Sequence, residues 1–229
     1  MDKDRKKYKI LIVEDNPGDY ALIEEYLQEL IQAPQLTQAK DFRSAAALLS
    51  ENKYDIILLD LSLPDKSGEN LISGIMAINC DCPVIILTGY ADINFGVKSL
   101  SMGASDYLLK DELNASTLYK SVIYNIERKK TVADLEASEK RYSDLFHLSP
   151  QPMFVYDPDS LAFLDVNQAA ITHYGYSREE FLSMTIKQIR PVEDLDKLDK
   201  VIENSRINKN TFYRGTFRHL KKNGELIHV

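Results

Sequence analysis

The chain has 229 residues, 44% of them hydrophobic and 28% charged, an ordinary globular composition that excludes a largely disordered polymer and leaves room for two domains of about 100–130 residues. Its longest aliphatic runs, at 10–13, 56–59 and 84–87, fall far short of the roughly 20 apolar residues of a membrane-spanning helix. The formal net charge of −7 lies wholly in residues 1–128, which hold 13 Lys and Arg against 20 Asp and Glu, so no nucleic-acid-binding surface is expected there.

The N-terminal segment MDKDRKKYKI lacks the apolar core of a secretory signal, and Cys80 and Cys82 are too few for a disulfide framework. A cytoplasmic chain is expected. The three aliphatic runs are continuous rather than alternating, as in strands buried on both faces of a parallel sheet. A shorter candidate lies at 107–109 and a weaker one at 35–39. Between them run helical stripes. Ile23, Leu27, Leu30 and Ile31 form the first, and Phe42, Ala45, Ala46 and Leu49 the second. Leu71, Ile72, Ile75 and Ile78 form the third, and Ile93, Val97 and Leu100 the fourth. Asn16 followed by Pro17 marks a helix start. Five strands alternating with helices predict a doubly wound α/β sheet, whose ligand site lies beyond the carboxyl ends of the strands.

From about Asn114 to Phe146 the chain carries neither glycine nor proline. Leu118, Val122 and Ile126 give a helix its packing face, and beyond it Val132, Leu135, Tyr142 and Phe146 fall near a 3–4 spacing interrupted by Glu139. This predicts a helical connector over 129–145, with a short coiled-coil seam that could pair two copies. The segments 153–156 and 163–166 read as a hairpin, Asn167 as the cap of a short helix, and Ser177 with Glu180 as a capping box stapled by Tyr176 and Phe181. Leu195, Leu198 and Ile202 give a further helix one apolar face. Residues 211–220 alternate as a strand, and Asn223 with Gly224 predicts a turn into 226–229.

The residues at the strand ends of the first half decide its chemistry. They are Glu14 and Asp15 after the first strand, Asp60 after the third, Thr88 after the fourth and Lys110 after the fifth. Two carboxylates about 5 Å apart repel by roughly 3 kcal/mol at an effective dielectric near 20. Such a cluster stays ionised with the help of a cation, and an all-oxygen ligand set with room for water suits Mg²⁺.

The motifs ILIVEDNPGD, IILLDLSLPDKSG, VIILTGY and GASDYLLK resemble those of two-component receiver domains, with a flavodoxin-like fold. The resemblance implies that Asp60 accepts a phosphoryl group from a phosphohistidine, supplied by a histidine kinase or phosphotransfer protein. It further implies Mg²⁺ at Asp15, Asp60 and the backbone carbonyl of Ser62, with Glu14 acting through water. Lys110 would pair with the phosphoryl oxygens and Thr88 would turn its hydroxyl onto them, while Tyr107 matches the aromatic that swings inward as Thr88 moves. One departure is Asp111, where the family usually has proline.

In the second half, LFHLSPQPMFVYD, DVNQAAITHYGYSREEF and FRHLKKNGELIHV resemble a PAS domain, an α+β fold with an antiparallel sheet. The fifth strand of that sheet would lie beyond Val229, so a fragment of a longer protein is expected. The domains are then 1–128 receiver, 129–145 connector and 146–229 PAS module. Neither flavin nor haem is expected. Both cysteines lie in the receiver half, the long helix at 192–205 carries no histidine, and His147, His173, His219 and His228 are read as surface or packing residues. The function expected is phosphorelay signalling through Asp60 to a downstream output. The alternative is the N-terminal part of an enzyme, a histidine kinase or cyclic-dinucleotide synthase, whose catalytic domain lies further on. No phosphoacceptor-histidine motif, ATP-binding glycine box or nucleotide-cyclising signature is found in these residues.

Overall fold

The structure is a computed structural model that describes residues 3–78, 81–89, 93–207 and 215–229. The chain divides into two compact units, Met1–Asp134 and Leu135–Val229.

In the first unit, five strands form one sheet in the order β2-β1-β3-β4-β5. They are β1 (Lys9–Val13), β2 (Gln35–Ala39), β3 (Ile56–Asp60), β4 (Val84–Thr88) and β5 (Asp106–Leu109). All four pairings are parallel. Helices α1 (Pro17–Leu30), α2 (Phe42–Glu51), α3 (Gly68–Ala77) and α4 (Ile93–Ser101) connect them, and α5 (Ala115–His147) follows β5. Successive strand residues point to opposite faces, and the sheet sorts its aliphatics accordingly. Ile10, Ile12, Ile56, Leu58, Ile85 and Leu87 pack with Ile23 and Leu27 of α1 and Leu118 and Val122 of α5. Leu11, Val13, Ile57 and Leu59 pack with Ala45 of α2 and Leu71 and Ile75 of α3. Strands β3 and β4 are buried along their whole length, which is why their sequences run continuously apolar. Helix α1 starts as the sequence predicts: Asn16 caps it, its side chain accepting from the Gly18 and Asp19 N–H groups, with proline in the first turn.

Helix α5 is one element of 33 residues. Its packing against the sheet ends near Asn125, and every side chain from 128 to 145 is exposed. Phe146 departs from the predicted connector seam. It is 4% exposed, with its ring 6.2 Å from that of Tyr142, so of the expected seam residues Val132, Leu135 and Tyr142 are the exposed ones. The hydrophobic spacing of the helix is blind to this, and equally to the tie that the Phe146 carbonyl makes to the buried Asn167 amide of the fold that follows.

Among the described residues, the second unit holds two antiparallel strand pairs. They are β6 (Phe154–Tyr156) with β7 (Phe163–Val166), and β8 (Arg218–Leu220) with β9 (Leu226–His228). Between them lie α6 (Gln168–Tyr174), α7 (Arg178–Leu182) and α8 (Leu195–Ile207). The caps read from the sequence are present: Asn167 on α6 and a reciprocal Ser177–Glu180 box on α7. Phe163, Val166, Ala170, Tyr174, Phe181, Ile186, Ile189 and Leu198 form the core. Gly224 takes a left-handed φ of 83° in the turn between β8 and β9, which suits glycine. Cys80 and residues 211–214 of the predicted strand lie outside the described residues.

Candidate functional site

The register of the parallel sheet brings the strand ends together. Val13 pairs with Leu59, Asp60 with Leu87 and Thr88 with Leu109. The residues that follow Val13 and Leu109 therefore stand beside Asp60 and Thr88. Backbone ties hold the turn after β1 in place. The Glu14 N–H donates to Ala39 at 2.9 Å, and the Gln38 side chain donates to the Glu14 carbonyl at 2.9 Å.

Glu14, Asp15 and Asp60 each offer a carboxylate oxygen within 4.8 Å of the others, with Asp15 the most exposed. Glu14 is 1% and Asp60 5% exposed. Glu14 Oε1 accepts from the Asn16 N–H at 3.0 Å and its Oε2 from Lys110 Nζ at 2.7 Å. Asp60 Oδ2 accepts from the Ser62 N–H at 3.1 Å, and its Oδ1 lies 3.0 Å from Lys110 Nζ. Burial raises the Glu14 carboxyl above its ordinary range. The Lys110 bond opposes that rise and the Asp60 charge adds to it. Burial also works against the Lys110 charge, but bonds to Asp19, Glu14 and Asp60 more than offset it and hold the ammonium above its ordinary range. Lys110 therefore stays charged at any physiological pH.

One ammonium does not balance this many carboxylates. Oxygens sharing one octahedral Mg²⁺ stand about 2.9–4.2 Å apart, so a trio within 4.8 Å, all hard oxygen donors, fits such an ion with small adjustments. Thr88, 4% exposed, ends β4 at the same edge. Tyr107 lies on β5 two residues before Leu109, the partner of Thr88, and pairs with Ile86. Its ring packs so close to α4 that a Cβ on Gly96 would meet it at 3.3 Å. Asp111, in the family's usual proline position, belongs to a short 3-10 turn over Lys110–Glu112.

One residue of the site was not singled out from the sequence. Asp19 in the first turn of α1 reaches Lys110 Nζ with Oδ2 at 2.7 Å. The signal available was an acid four residues beyond Asp15, on a helix whose cap sits at the end of β1. In the second unit, the buried His219 holds the Tyr174 hydroxyl at 2.7 Å through Nδ1.

Comparison with known proteins agrees with this geometry. Residues 10–123 match the response regulator receiver domain, and residues 163–229 match the PAS fold. The transcriptional regulatory protein MalR of Bacillus subtilis is 36% identical over 101 residues, 44% of this chain and 43% of that protein. The virulence transcriptional regulatory protein PhoP of Salmonella typhimurium is 36% identical over 104 residues, 44% of this chain and 45% of that protein. The chain thus spans less than half the length of these relatives. The signal receiver domain of a Vibrio parahaemolyticus protein described as a Luxo repressor superposes with a TM-score of 0.52 at 29% identity, over 57% of this chain and 98% of that one. NtrX from Brucella abortus, at 23% identity, shares the fold with a TM-score of 0.54 over 59% of this chain and 31% of its own. No helix among the described residues is long and apolar enough to cross a membrane. The chain carries a two-component response-regulator receiver domain over residues 10–123, followed by a PAS fold over residues 163–229.

Proposed function

We propose that Asp60 is the phosphoacceptor of a phosphorelay, taking a phosphoryl group from the phosphohistidine of a kinase or phosphotransfer protein. The observation that carries this is the convergence of Glu14, Asp15 and Asp60 within 4.8 Å, with the Lys110 ammonium on Asp60 and Glu14. An Asp60 oxygen attacks phosphorus as the phosphorus–nitrogen bond of the donor breaks, and the imidazole leaves with the electron pair. This chemistry asks the protein for positioning and charge neutralisation more than covalent assistance. Glu14, Asp15 and Asp60, with the Ser62 carbonyl, would hold Mg²⁺, which when bound neutralises the phosphoryl oxygens. Lys110 supplies further positive charge, and the Thr88 hydroxyl would turn onto the phosphoryl group. Tyr107 reads as the switch aromatic that moves with Thr88. On this reading the chain works in the cytoplasm alongside its phosphodonor.

The same reading makes α5 the outlet. It packs on the sheet through Leu118 and Val122, in one cluster with Leu87, next to Thr88. Beyond that it presents Val132, Leu135 and Tyr142, each 46% or more exposed, to a second copy. An amphipathic surface helix normally buries one face, and a stretch with none buried is what a two-copy seam would complete. The deciding experiment incubates the chain with Mg²⁺ and acetyl phosphate and follows intact mass. One added phosphoryl group is expected, lost in Asp60→Asn with the fold retained. Undiminished labelling of that variant would overturn the assignment.

A further inference from the structure

An ammonium has three N–H donors, and at Lys110 three carboxylates take them. Glu14 Oε2 and Asp19 Oδ2 lie at 2.7 Å and Asp60 Oδ1 at 3.0 Å. The partners differ in their access to water. Side-chain exposure is 1% for Glu14, 6% for Asp60 and 39% for Asp19. A carboxylate that lets go of the lysine needs replacement hydrogen bonds, and a buried one does not find them. Glu14 is therefore committed to Lys110, and Asp60 is the group that changes. Of the three, Asp19 can exchange the ammonium for solvent at little cost. It is also not one of the trio, Glu14, Asp15 and Asp60, whose oxygens all lie within 4.8 Å of one another, so its partner is the lysine rather than the cation position.

We propose that Asp19 is a placeholder for the phosphoryl group, occupying the third donor of Lys110 while Asp60 is unmodified and yielding it when a phosphoryl oxygen arrives. The inference rests on Asp60 being the phosphoacceptor. Its consequence is competition. Each phosphoryl group that engages Lys110 must first displace Asp19, so Asp19 is a positioning residue that lowers the net gain from the lysine contact. Before that exchange it keeps the ammonium oriented at the edge of the site. Its place in the first turn of α1, where an acid also favours the helix start, fixes it on a rigid element rather than on a loop.

The test uses the full chain with Mg²⁺ and beryllofluoride, a phosphoryl mimic that bonds to a carboxylate oxygen, with affinity read by fluorine NMR. Wild type is expected to bind and Asp60→Asn is not. A wild-type chain that takes up neither beryllofluoride nor a phosphoryl group at Asp60 overturns the phosphoacceptor reading itself. Where wild type binds, Asp19→Asn and Asp19→Ser are each expected to bind about two- to fivefold more tightly, the range for one partly exposed ion pair. Asp19→Glu, which keeps a carboxylate within reach, should return toward wild type. In a Lys110→Ala background the Asp19→Asn change should leave affinity unmoved. Unchanged or weaker binding by Asp19→Asn and Asp19→Ser overturns the placeholder. So does an equal gain in the Lys110→Ala background, because that gain would come from removing a negative charge alone. If Asp19→Asn does not fold, Asp19→Ser decides on the same criterion. A role confined to starting α1 would lower thermal stability and leave affinity where it was.

Discussion

The side-chain amide of Asn167 donates to the carbonyl oxygen of Phe146 at 3.0 Å, fastening the last turn of α5 to the start of α6 within the second unit. The same amide nitrogen donates to Gln151 at 2.8 Å and approaches Ser149 at 3.4 Å. Its oxygen accepts from the Met153 and Ala170 N–H groups at 3.0 and 2.9 Å. Asn167 is fully buried, so truncation would strand backbone groups that no water reaches. Asn167→Ala is expected to lower the stability of this unit by about 2–4 kcal/mol, a lost helix cap plus unsatisfied buried groups. Urea denaturation checks the size of the loss. Hydrogen exchange should quicken at 146–153 in the variant, and unchanged protection there would mean the amide is not the fastening.

His219 makes the second unit sensitive to acid. Burial, with the Arg190 charge adding to it, holds the imidazole well below its ordinary range, down to about 4. An unfolded histidine titrates near 6.5. Between those values the unfolded chain binds a proton that the folded one refuses, so stability falls as pH falls. The loss is absent above about pH 6.5 and complete near pH 4, where it reaches about 3 kcal/mol. Denaturation midpoints of wild type and His219→Gln between pH 4 and 7 would show the difference, with wild type losing more on acidification. Parallel curves for the two would show that His219 does not carry the effect.

At the strand ends, a cation should stabilise the first unit by mass action. With free Mg²⁺ at tenfold its dissociation constant the gain is about 1.4 kcal/mol. The melting temperature of this unit should rise with MgCl₂ in wild type, and the rise should shrink sharply in Asp15→Asn and in Asp60→Asn. A full rise in Asp15→Asn would put the ion elsewhere.

The receiver fold was legible because its chemistry is local to the strands. Continuous aliphatic runs give β1, β3 and β4 nearly to the residue, and the polar residue that ends each run is the site. Asn16, Asn167, Ser177 and Glu180 were equally legible as caps, since a cap acts within a few residues of itself. What stayed hidden depends on contacts between distant segments. Asp19 lies 91 positions from Lys110, and nothing in its neighbours says that it reaches the lysine. Phe146 keeps the spacing of a connector seam but is claimed by the unit that follows. The Tyr174–His219 pair spans 45 positions and becomes visible when β8 is laid beside α6.

Phosphorylation of Asp60 would find its outlet in α5. Val132, Leu135 and Tyr142 follow the seam spacing and are exposed, with Glu139 interrupting them, and Phe146 is withdrawn. Full burial of such side chains contributes roughly 1.5–3 kcal/mol each, so three from each copy give about 9–18 kcal/mol gross. Association consumes an estimated 4–15 kcal/mol of that, which leaves a weak dimer that a small bias can tip. A rearrangement at Thr88 reaches α5 through Leu87, which packs in one cluster with Leu118 and Val122. A coupling of about 1–3 kcal/mol would change dimer population 5- to 150-fold. Single cysteines at 132, 135, 139 and 142, oxidised with and without beryllofluoride, should crosslink at 132, 135 and 142 to an extent that depends on the mimic. A cysteine at 146 should stay unlinked in both states. Leu135→Asp should abolish the dimer while leaving phosphorylation of Asp60 intact. Crosslinking that is equally low at every position in both states would reduce the exposed half of α5 to a spacer.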